Sequence, residues 1–242
     1  MPLGPLSGSR GCMKRTFGLV IFDCDGVLID SERVSAAVIA ESMTELGLPV
    51  TPEAAMARFV GVSLRAMRPM IEDDLGRPLP PDWNAMLVAR IVAAMERHAE
   101  PIPGAREILE HFDAVGQPWR IASNSADVEM DAKFGRTGWL DLVAGRTFSA
   151  PRLFPEGGRP KPAPDVFLAA ARSLPAAPET CLVIEDSVTG IAGAIAAGMT
   201  CYGFAPHGNG EPLLAAGAER VISGHHELRD LVALAAAIGA KA

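Results

Sequence analysis

The sequence has little positive charge, few aromatic residues and no long hydrophobic run. Its 22 lysine and arginine residues are outnumbered by 29 aspartate and glutamate residues, which gives a formal net charge of −7. This charge disfavours nucleic acid and anionic membranes as partners, because both are themselves negatively charged. No apolar run approaches the roughly 20 residues that a transmembrane helix needs. We therefore expect a protein that binds neither nucleic acid nor membrane.

Cysteine is also scarce, and its spacing does not indicate a metal site. The four cysteines are Cys12, Cys24, Cys181 and Cys201, and they show no metal-ligand spacing. We interpret them as free thiols, as expected in the reducing cytoplasm. The apolar run at residues 18–22 is too short for the core of a signal peptide. The sequence therefore predicts a cytoplasmic protein.

The second half of the chain has the pattern of an α/β fold. Short apolar runs alternate with helical patterns from residue 104 onward, which is typical of a doubly wound parallel sheet with helices on both faces. In the helix after Asp186, we predict Ser187 as the N-cap and an apolar face formed by Val188, Ile191, Ala192, Ile195 and Ala196. The predicted strands are 119–122, 143–148, 181–185, 199–204 and 219–222, and the predicted helices are 104–115, 125–136, 163–173, 187–197 and 226–239.

Residues 33–103 show no strand signal and form a predicted all-helical insertion. Its clearest helix has an apolar stripe at helical spacing, formed by Trp83, Leu87, Ile91, Ala94 and Met95. The α/β core would then consist of residues 13–32 and 104–242. Residues 1–12 are rich in glycine, proline and serine, which predicts a disordered extension.

Two aspartates directly follow the first predicted strand. The run at residues 18–22 contains β-branched residues, as buried strands do, and it ends at the Asp-x-Asp-Gly motif of Asp23, Asp25 and Gly26. Carboxylates this close repel each other and lose hydration on burial, so a cation or a reaction must offset the cost. Ligands bind at the carboxyl ends of strands in such sheets. The alternative is an ordinary polar turn, in which Asp and Gly are common.

Three later segments place more polar residues at strand ends or helix starts. Ser123 and Asn124 follow a predicted strand, Lys161 precedes a predicted helix, and the pair Glu185-Asp186 follows another strand. Each has an ordinary structural interpretation. Ser123 could serve only as a helix N-cap, and Lys161 could be a solvated loop lysine. The acidic pair could simply favour a helix start through the helix dipole.

Taken together and in this order, the four segments resemble the haloacid dehalogenase (HAD) superfamily. The resemblance covers roughly residues 17–223. Its most specific parts are the first motif, from Phe22 to Glu32, and the Lys-Pro-x-Pro-Asp segment that begins at Lys161. The phosphatase and β-phosphoglucomutase-like branch is the most similar. The resemblance implies that the helical insertion is a cap domain, with hinges near residues 32–35 and 101–104.

The resemblance also implies a role for each site residue. Asp23 would be the nucleophile that forms an aspartyl-phosphate, and Asp25 the general acid and then the general base. Lys161 would neutralise the phosphoryl group and pair with Asp23, while Ser123 and the backbone N–H of Asn124 would bind phosphoryl oxygens. Mg²⁺ prefers hard oxygen ligands. It would be held by the Asp23 and Asp186 side chains and the Asp25 carbonyl, with Glu185 bound directly or through water.

We therefore predict a Mg²⁺-dependent phosphatase of a small phosphorylated metabolite, with sugar or sugar-acid phosphates favoured. An aspartate at position 25 points to phosphate esters, whose alkoxide leaving group must be protonated. The expected partner is this small substrate. The protein itself is expected to be a monomer or a weak homodimer. A second alternative is a non-catalytic HAD-fold binding module, although every motif residue is present.

The first alternative is a sugar-phosphate mutase of the β-phosphoglucomutase type. Val60 and Leu64 stand where the mutase pattern has lysine and arginine, and Ser35 stands where it has a histidine. These departures disfavour mutase activity. Arg65 and Arg68 lie nearby, so a phosphate grip in a shifted register stays open, and their substitution would then alter substrate affinity.

Overall fold

A computed structural model describes residues 17–59, 62 and 64–229. The predicted disordered extension, Cys12, and the predicted last helix beyond residue 229 lie outside the described residues. The other three cysteines are free and buried. Within the described part of the chain, no helix is long and apolar enough to cross a bilayer.

Six parallel strands form the central sheet, which confirms the predicted fold class. Their spatial order is β5-β4-β1-β6-β7-β8, so the first strand lies in the middle. β2 and β3 form a separate antiparallel pair. The strands are β1 (Leu19–Phe22), β2 (Ile29–Asp30), β3 (Glu100–Pro101), β4 (Trp119–Ser123), β5 (Thr147–Ser149), β6 (Cys181–Glu185), β7 (Thr200–Phe204) and β8 (Arg220–Ile222).

Helices cover both faces of the sheet. They are α5 (Ala105–Ala114), α6 (Asp127–Thr137), α7 (Leu140–Val143), α8 (Ala150–Leu153), α9 (Asp165–Arg172), α10 (Val188–Ala196) and α11 (Glu211–Ala215). Alternate residues of β1 join different hydrophobic clusters: Val20 and Phe22 pack with α5 and α6, and Leu19 and Ile21 with α9 and α10. Each such buried side chain contributes roughly 1.5–3 kcal/mol. This burial fixes β1, and with it the residue that follows, Asp23.

Four helices connect β2 to β3: α1 (Glu32–Glu45), α2 (Pro52–Phe59), α3 (Leu64–Leu75) and α4 (Trp83–His98). The five residues of the predicted apolar stripe are the buried residues of α4. The sequence did not reveal β2 and β3, which pair where the chain enters and leaves this helical segment, with Ile29 opposite Pro101 and Asp30 opposite Glu100. The division of the chain into a core domain and a cap domain stays a prediction.

The predicted apolar face of α10 was right at Ile191 and wrong at Val188 and Ile195. Val188 and Ile195 are 51% and 46% exposed, and the buried residues are Gly190, Ile191, Gly193 and Ala194. Glycine takes the inner face because neighbouring groups approach closely there: a Cβ on Gly190 would lie 1.8 Å from the Glu185 carboxylate. Ser187 is the N-cap, as predicted, and its hydroxyl accepts the backbone N–H of Gly190 at 3.0 Å.

Candidate active site

The ends of three neighbouring strands bring the predicted site residues together. β1 lies between β4 and β6, and Phe22 is level with Ile121 and Ile184. Asp23, the residue after β1, donates its backbone N–H to the Ile184 carbonyl at 2.9 Å. Ser123 is the last residue of β4 and Glu185 the last of β6. The parallel register therefore places their side chains at one edge of the sheet.

A buried lysine joins two of the carboxylates. Lys161 Nζ donates to Asp23 Oδ1 and, at 2.7 Å, to Glu185 Oε1. All three residues are buried, and the Lys161 ammonium lies 4.8 Å from the centre of the Phe167 ring. Burial alone would lower the pKa of Lys161, but Asp23 and Glu185 outweigh it and raise the pKa above its ordinary value. Lys161 is therefore a fixed positive charge beside Asp23.

The amide of Asn124 fixes the backbone of Lys161. Its Oδ1 accepts the Lys161 backbone N–H at 2.9 Å, and its Nδ2 donates to the Lys161 carbonyl at 3.5 Å. Sequence reasoning assigned only the backbone N–H of Asn124 to a function. The side chain joins the loop before α9 to the end of β4, and so it positions Lys161.

Asp186 lies against the turn of the first motif. Gly26 adopts a φ of +73°, and a Cβ there would lie 1.9 Å from Asp186 Oδ2, so only glycine fits. Burial, and then the charges of Glu185 and Asp23, raise the pKa of Asp186 well above its ordinary value. Burial also raises the pKa of Asp23, where Lys161 opposes the shift and Glu185 and Asp25 add to it. A nearby cation would therefore favour the ionised forms of both Asp186 and Asp23.

Glu185 has both carboxylate oxygens occupied. Oε1 accepts from Lys161, and Oε2 accepts from the backbone N–H and the hydroxyl of Ser187 at 3.0 and 2.9 Å. The arrangement gives Glu185 a clear local role, which is to hold Lys161 in place at the start of α10.

Four donors surround the carboxylate of Asp25. Ser31 and Lys133 donate to Oδ1, the latter at 2.5 Å, while Ser125 and Ser123 donate to Oδ2 at 2.7 and 3.3 Å. Burial alone would raise the pKa of Asp25, but Lys133 and the hydroxyl donors outweigh it and lower the pKa to about 2. Asp25 is therefore ionised in this arrangement. The Ser123 hydroxyl also accepts the backbone N–H of Ser125 at 3.0 Å.

Sequence reasoning missed Lys133 and Ser125. Lys133 lies in α6 among the buried residues of that helix, one turn after Met130. A lysine three residues after a buried methionine was the available signal, but the many charged residues of α6 obscured it. Ser125 was visible as a neighbour of Ser123 in the same motif.

The acidic cluster has the chemistry of a divalent-cation site. The carboxylates of Asp23, Asp25, Glu185 and Asp186 influence one another, and only Lys161 and Lys133 are cations among their main electrostatic partners. Four negative charges against two positive charges leave an excess that a divalent cation balances. Among the described residues, no group of three His, Cys, Asp or Glu side chains forms a ready metal site.

Arg68 is bonded within the helical segment. Its guanidinium donates to Glu72 and Asn84 and to the carbonyls of Leu79 and Pro80, at 2.7 to 3.4 Å. These bonds fasten α3 to the loop before α4, which gives Arg68 a structural role; its contact with substrate stays a prediction. The Arg65 side chain and Val60 lie outside the described residues.

Comparison with known proteins identifies the family. The family model for haloacid dehalogenase-like hydrolases matches residues 17–198, and the chain belongs to this family. The 6-phosphogluconate phosphatase of Escherichia coli is 28% identical over 196 residues, which cover 81% of this chain and 86% of that protein. The predicted membership is confirmed.

Solved structures agree with this result. A haloacid dehalogenase-like protein of unknown function from Agrobacterium tumefaciens is 34% identical, with a TM-score of 0.77, over 91% of this chain and 99% of that one. A HAD family hydrolase from Deinococcus radiodurans, with bound phosphate and sodium, is 35% identical, with a TM-score of 0.75, over 90% and 96% of the two chains. The predicted enzyme class, a phosphoric monoester hydrolase, is confirmed by the relatives.

Proposed function

We propose that the protein is a Mg²⁺-dependent phosphatase that hydrolyses a sugar or sugar-acid phosphate through an aspartyl-phosphate. The observation that carries the proposal is the buried contact of Asp23 with Lys161, next to the ionised Asp25. A carboxylate nucleophile needs no deprotonation at neutral pH, and the lysine ammonium attracts the anionic phosphoryl group to it.

In the first step, Asp23 attacks phosphorus, the bond from phosphorus to the ester oxygen breaks, and Asp25 protonates that departing oxygen with the proton that it took from water in the preceding turnover. In the second step, Asp25 takes a proton from water, the water oxygen attacks phosphorus, and the bond to Asp23 breaks, which releases phosphate. Because Asp25 is ionised in this structure, it can act as the base that the second step needs. Lys161, the Ser123 hydroxyl and the backbone N–H of Asn124 hold the phosphoryl oxygens in both steps.

The residues present fit Mg²⁺. The side chains of Asp23 and Asp186 and the Asp25 carbonyl would hold it, with Glu185 linked through water because its own oxygens already accept from Lys161 and Ser187. When bound, Mg²⁺ supplies charge neutralisation at the phosphoryl oxygens. The raised pKa of Asp186 supports this assignment, since a cation there removes the repulsion that disfavours its ionised form.

The substrate class rests on the relatives. A curated relative over most of the chain acts on 6-phosphogluconate, and a solved neighbour holds phosphate. No observation on the described residues favours the mutase, since Arg68 is bound within the helical segment. The three free, buried thiols support a reducing, cytoplasmic location. A monomer or weak homodimer remains our expectation for the oligomeric state.

Release of inorganic phosphate from a panel of sugar, sugar-acid, polyol and nucleoside phosphates, with Mg²⁺ present, tests the proposal. We expect turnover of a subset that includes sugar or sugar-acid phosphates, and loss of turnover with EDTA. A coupled assay with β-glucose 1-phosphate separates a mutase from a phosphatase. Absence of phosphate release from the whole panel would overturn the proposal.

A further inference from the structure

We infer that Lys133 is a positioning residue, which holds the Asp25 carboxylate in the orientation that takes a proton from the attacking water. The inference rests on the proposed phosphatase function. It assigns to α6 a cation that is separate from Lys161, the lysine of the phosphate-binding site.

The burial of Lys133 requires an explanation beyond folding. Its side chain is only 3% exposed, although its neighbours on the inner face of α6 are apolar or small. Removing an ammonium group from water is costly, and apolar residues of similar volume often replace buried ion pairs without loss of stability. Because an apolar residue would serve the fold as well, we attribute the presence of Lys133 to what its contact with Asp25 does for the reaction.

Lys133 fixes both oxygens of Asp25. It donates to Oδ1 directly at 2.5 Å and also to Ser125 Oγ at 2.9 Å. A serine hydroxyl has one hydrogen. Because Ser125 Oγ already accepts from the ammonium, that hydrogen is directed to Asp25 Oδ2, at 2.7 Å. Lys133 therefore orients one oxygen itself and the other through Ser125.

The orientation leaves the Asp25 side chain partly exposed. The Asp25 side chain is 30% exposed, ten times the exposure of Lys133. The four acceptor directions of the carboxylate carry four donors, and the Ser123 hydroxyl is the most distant of those with a stated distance, at 3.3 Å from Oδ2. When Ser123 turns to a phosphoryl oxygen, as proposed, Oδ2 is free to accept a proton while Lys133 and Ser125 still hold the carboxylate. The proton moves from water to Asp25 as the water oxygen bonds to phosphorus. The bond from phosphorus to Asp23 then breaks, and its electron pair returns to the Asp23 carboxylate.

Formation and hydrolysis of the aspartyl-phosphate, measured separately, distinguish a positioning role of Lys133 from a purely structural role. The leaving group of p-nitrophenyl phosphate is weakly basic, so it departs with little help from an acid. Formation of the aspartyl-phosphate from this ester then depends little on Asp25, whereas its hydrolysis needs an oriented base. Loss of Lys133 should therefore slow the second step selectively.

The test is rapid-quench kinetics of Lys133→Met with p-nitrophenyl phosphate and Mg²⁺. We expect a burst of about one nitrophenol per enzyme, followed by a steady state at least tenfold slower than that of the wild type. Phe134→Leu is the matched control, because Phe134 is also buried in α6 and contacts Trp139 rather than Asp25. In that variant, the burst and steady-state rates should keep the wild-type ratio.

Equal slowing of both phases in Lys133→Met, or wild-type rates in both, would overturn the inference. If this variant does not fold, Lys133→Gln, which keeps donors but no charge, takes its place in the same measurement. A crystal structure of the variant gives a readout independent of activity: we expect a rotated Asp25 carboxylate, and an unrotated one overturns the inference. A wild-type protein inactive on every ester would instead refute the proposed function.

Discussion

Gly190 lies so close to Glu185 that no other residue fits: an added Cβ would be 1.8 Å from Oε1 and 1.9 Å from the carboxyl carbon. Oε1 is also the acceptor for the Lys161 ammonium. The absence of a side chain in the first turn of α10 thus permits the contact that places Lys161 beside Asp23. Gly190 is not in any catalytic motif that the sequence suggested.

Gly190→Ala should therefore displace the Glu185 carboxylate and detach Lys161. We expect phosphatase turnover to fall at least tenfold and the free energy of unfolding to fall by about 1–3 kcal/mol, as in other overpacked sites. Steady-state kinetics and urea denaturation measure the two effects. Unchanged turnover would show that Glu185 does not need its present position.

The matched control is Gly135→Ala in α6. A Cβ on Gly135 would meet only Leu140, at 3.8 Å, and the residue has no positive φ. Alanine is favoured over glycine inside helices by about 1 kcal/mol, so this variant should be slightly more stable than the wild type, with normal turnover. A loss of stability in both variants would point to a general intolerance of alanine rather than to the contact with Glu185.

Asp23→Asn should abolish turnover without unfolding the protein. The amide is a poor nucleophile. Burial and neighbouring carboxylates raise the pKa of Asp23, so its ionised form is disfavoured in the fold and a neutral amide relieves that cost. Lys161 keeps Glu185 as a partner. We expect no phosphate release and a melting temperature at or above that of the wild type in EDTA. Residual turnover at the wild-type rate would exclude Asp23 as the nucleophile.

Mg²⁺ should raise the melting temperature of the wild-type protein. A ligand that binds only the folded state adds stability that grows with its concentration, by about 2.7 kcal/mol at a hundred times its Kd. The gain should disappear in Asp186→Ala, because that variant loses one of the two proposed side-chain ligands. Differential scanning calorimetry across a Mg²⁺ titration measures it. An equal gain in both proteins would place the cation elsewhere.

Predictions from the sequence succeeded where strand ends carry polar residues. Parallel strands present their carboxyl ends at one edge of the sheet, so the order of the motifs is enough to place Asp23, Ser123 and Glu185 together. The predicted strands 119–122, 181–185, 199–204 and 219–222 agree to within one residue at each end, because buried parallel strands are short apolar runs between turns. The strand predicted at 143–148 was placed too early, since Val143 ends α7 and β5 is Thr147–Ser149. The pair β2 and β3 was missed because two-residue strands have no periodicity.

Other features of the site depend on packing that no local pattern records. Lys133 was missed because α6 has charged residues on several sides, so no apolar stripe marks its buried face. The inner face of α10 was assigned correctly only at Ile191, because glycine counts as neither apolar nor polar in such patterns. The bonds of Arg68 depend on carbonyls of a loop eleven and twelve residues away. Each case requires knowledge of a neighbour that is distant in sequence.

The last prediction concerns His225, whose ring packs 4.7 Å from that of Phe204 and whose Nδ1 donates to the Pro103 carbonyl at 3.2 Å. Burial lowers the pKa of His225 from 6.5 to about 4. The unfolded chain therefore binds this proton more tightly than the folded one, and stability falls as the pH drops from 7 towards 4. Between pH 8 and pH 5 the loss from this residue is about 2 kcal/mol. Urea denaturation in EDTA at both pH values should show that His225→Phe loses less stability than the wild type by this amount, since carboxylates contribute equally to both proteins. Parallel pH dependence in the two proteins would contradict a buried, neutral His225.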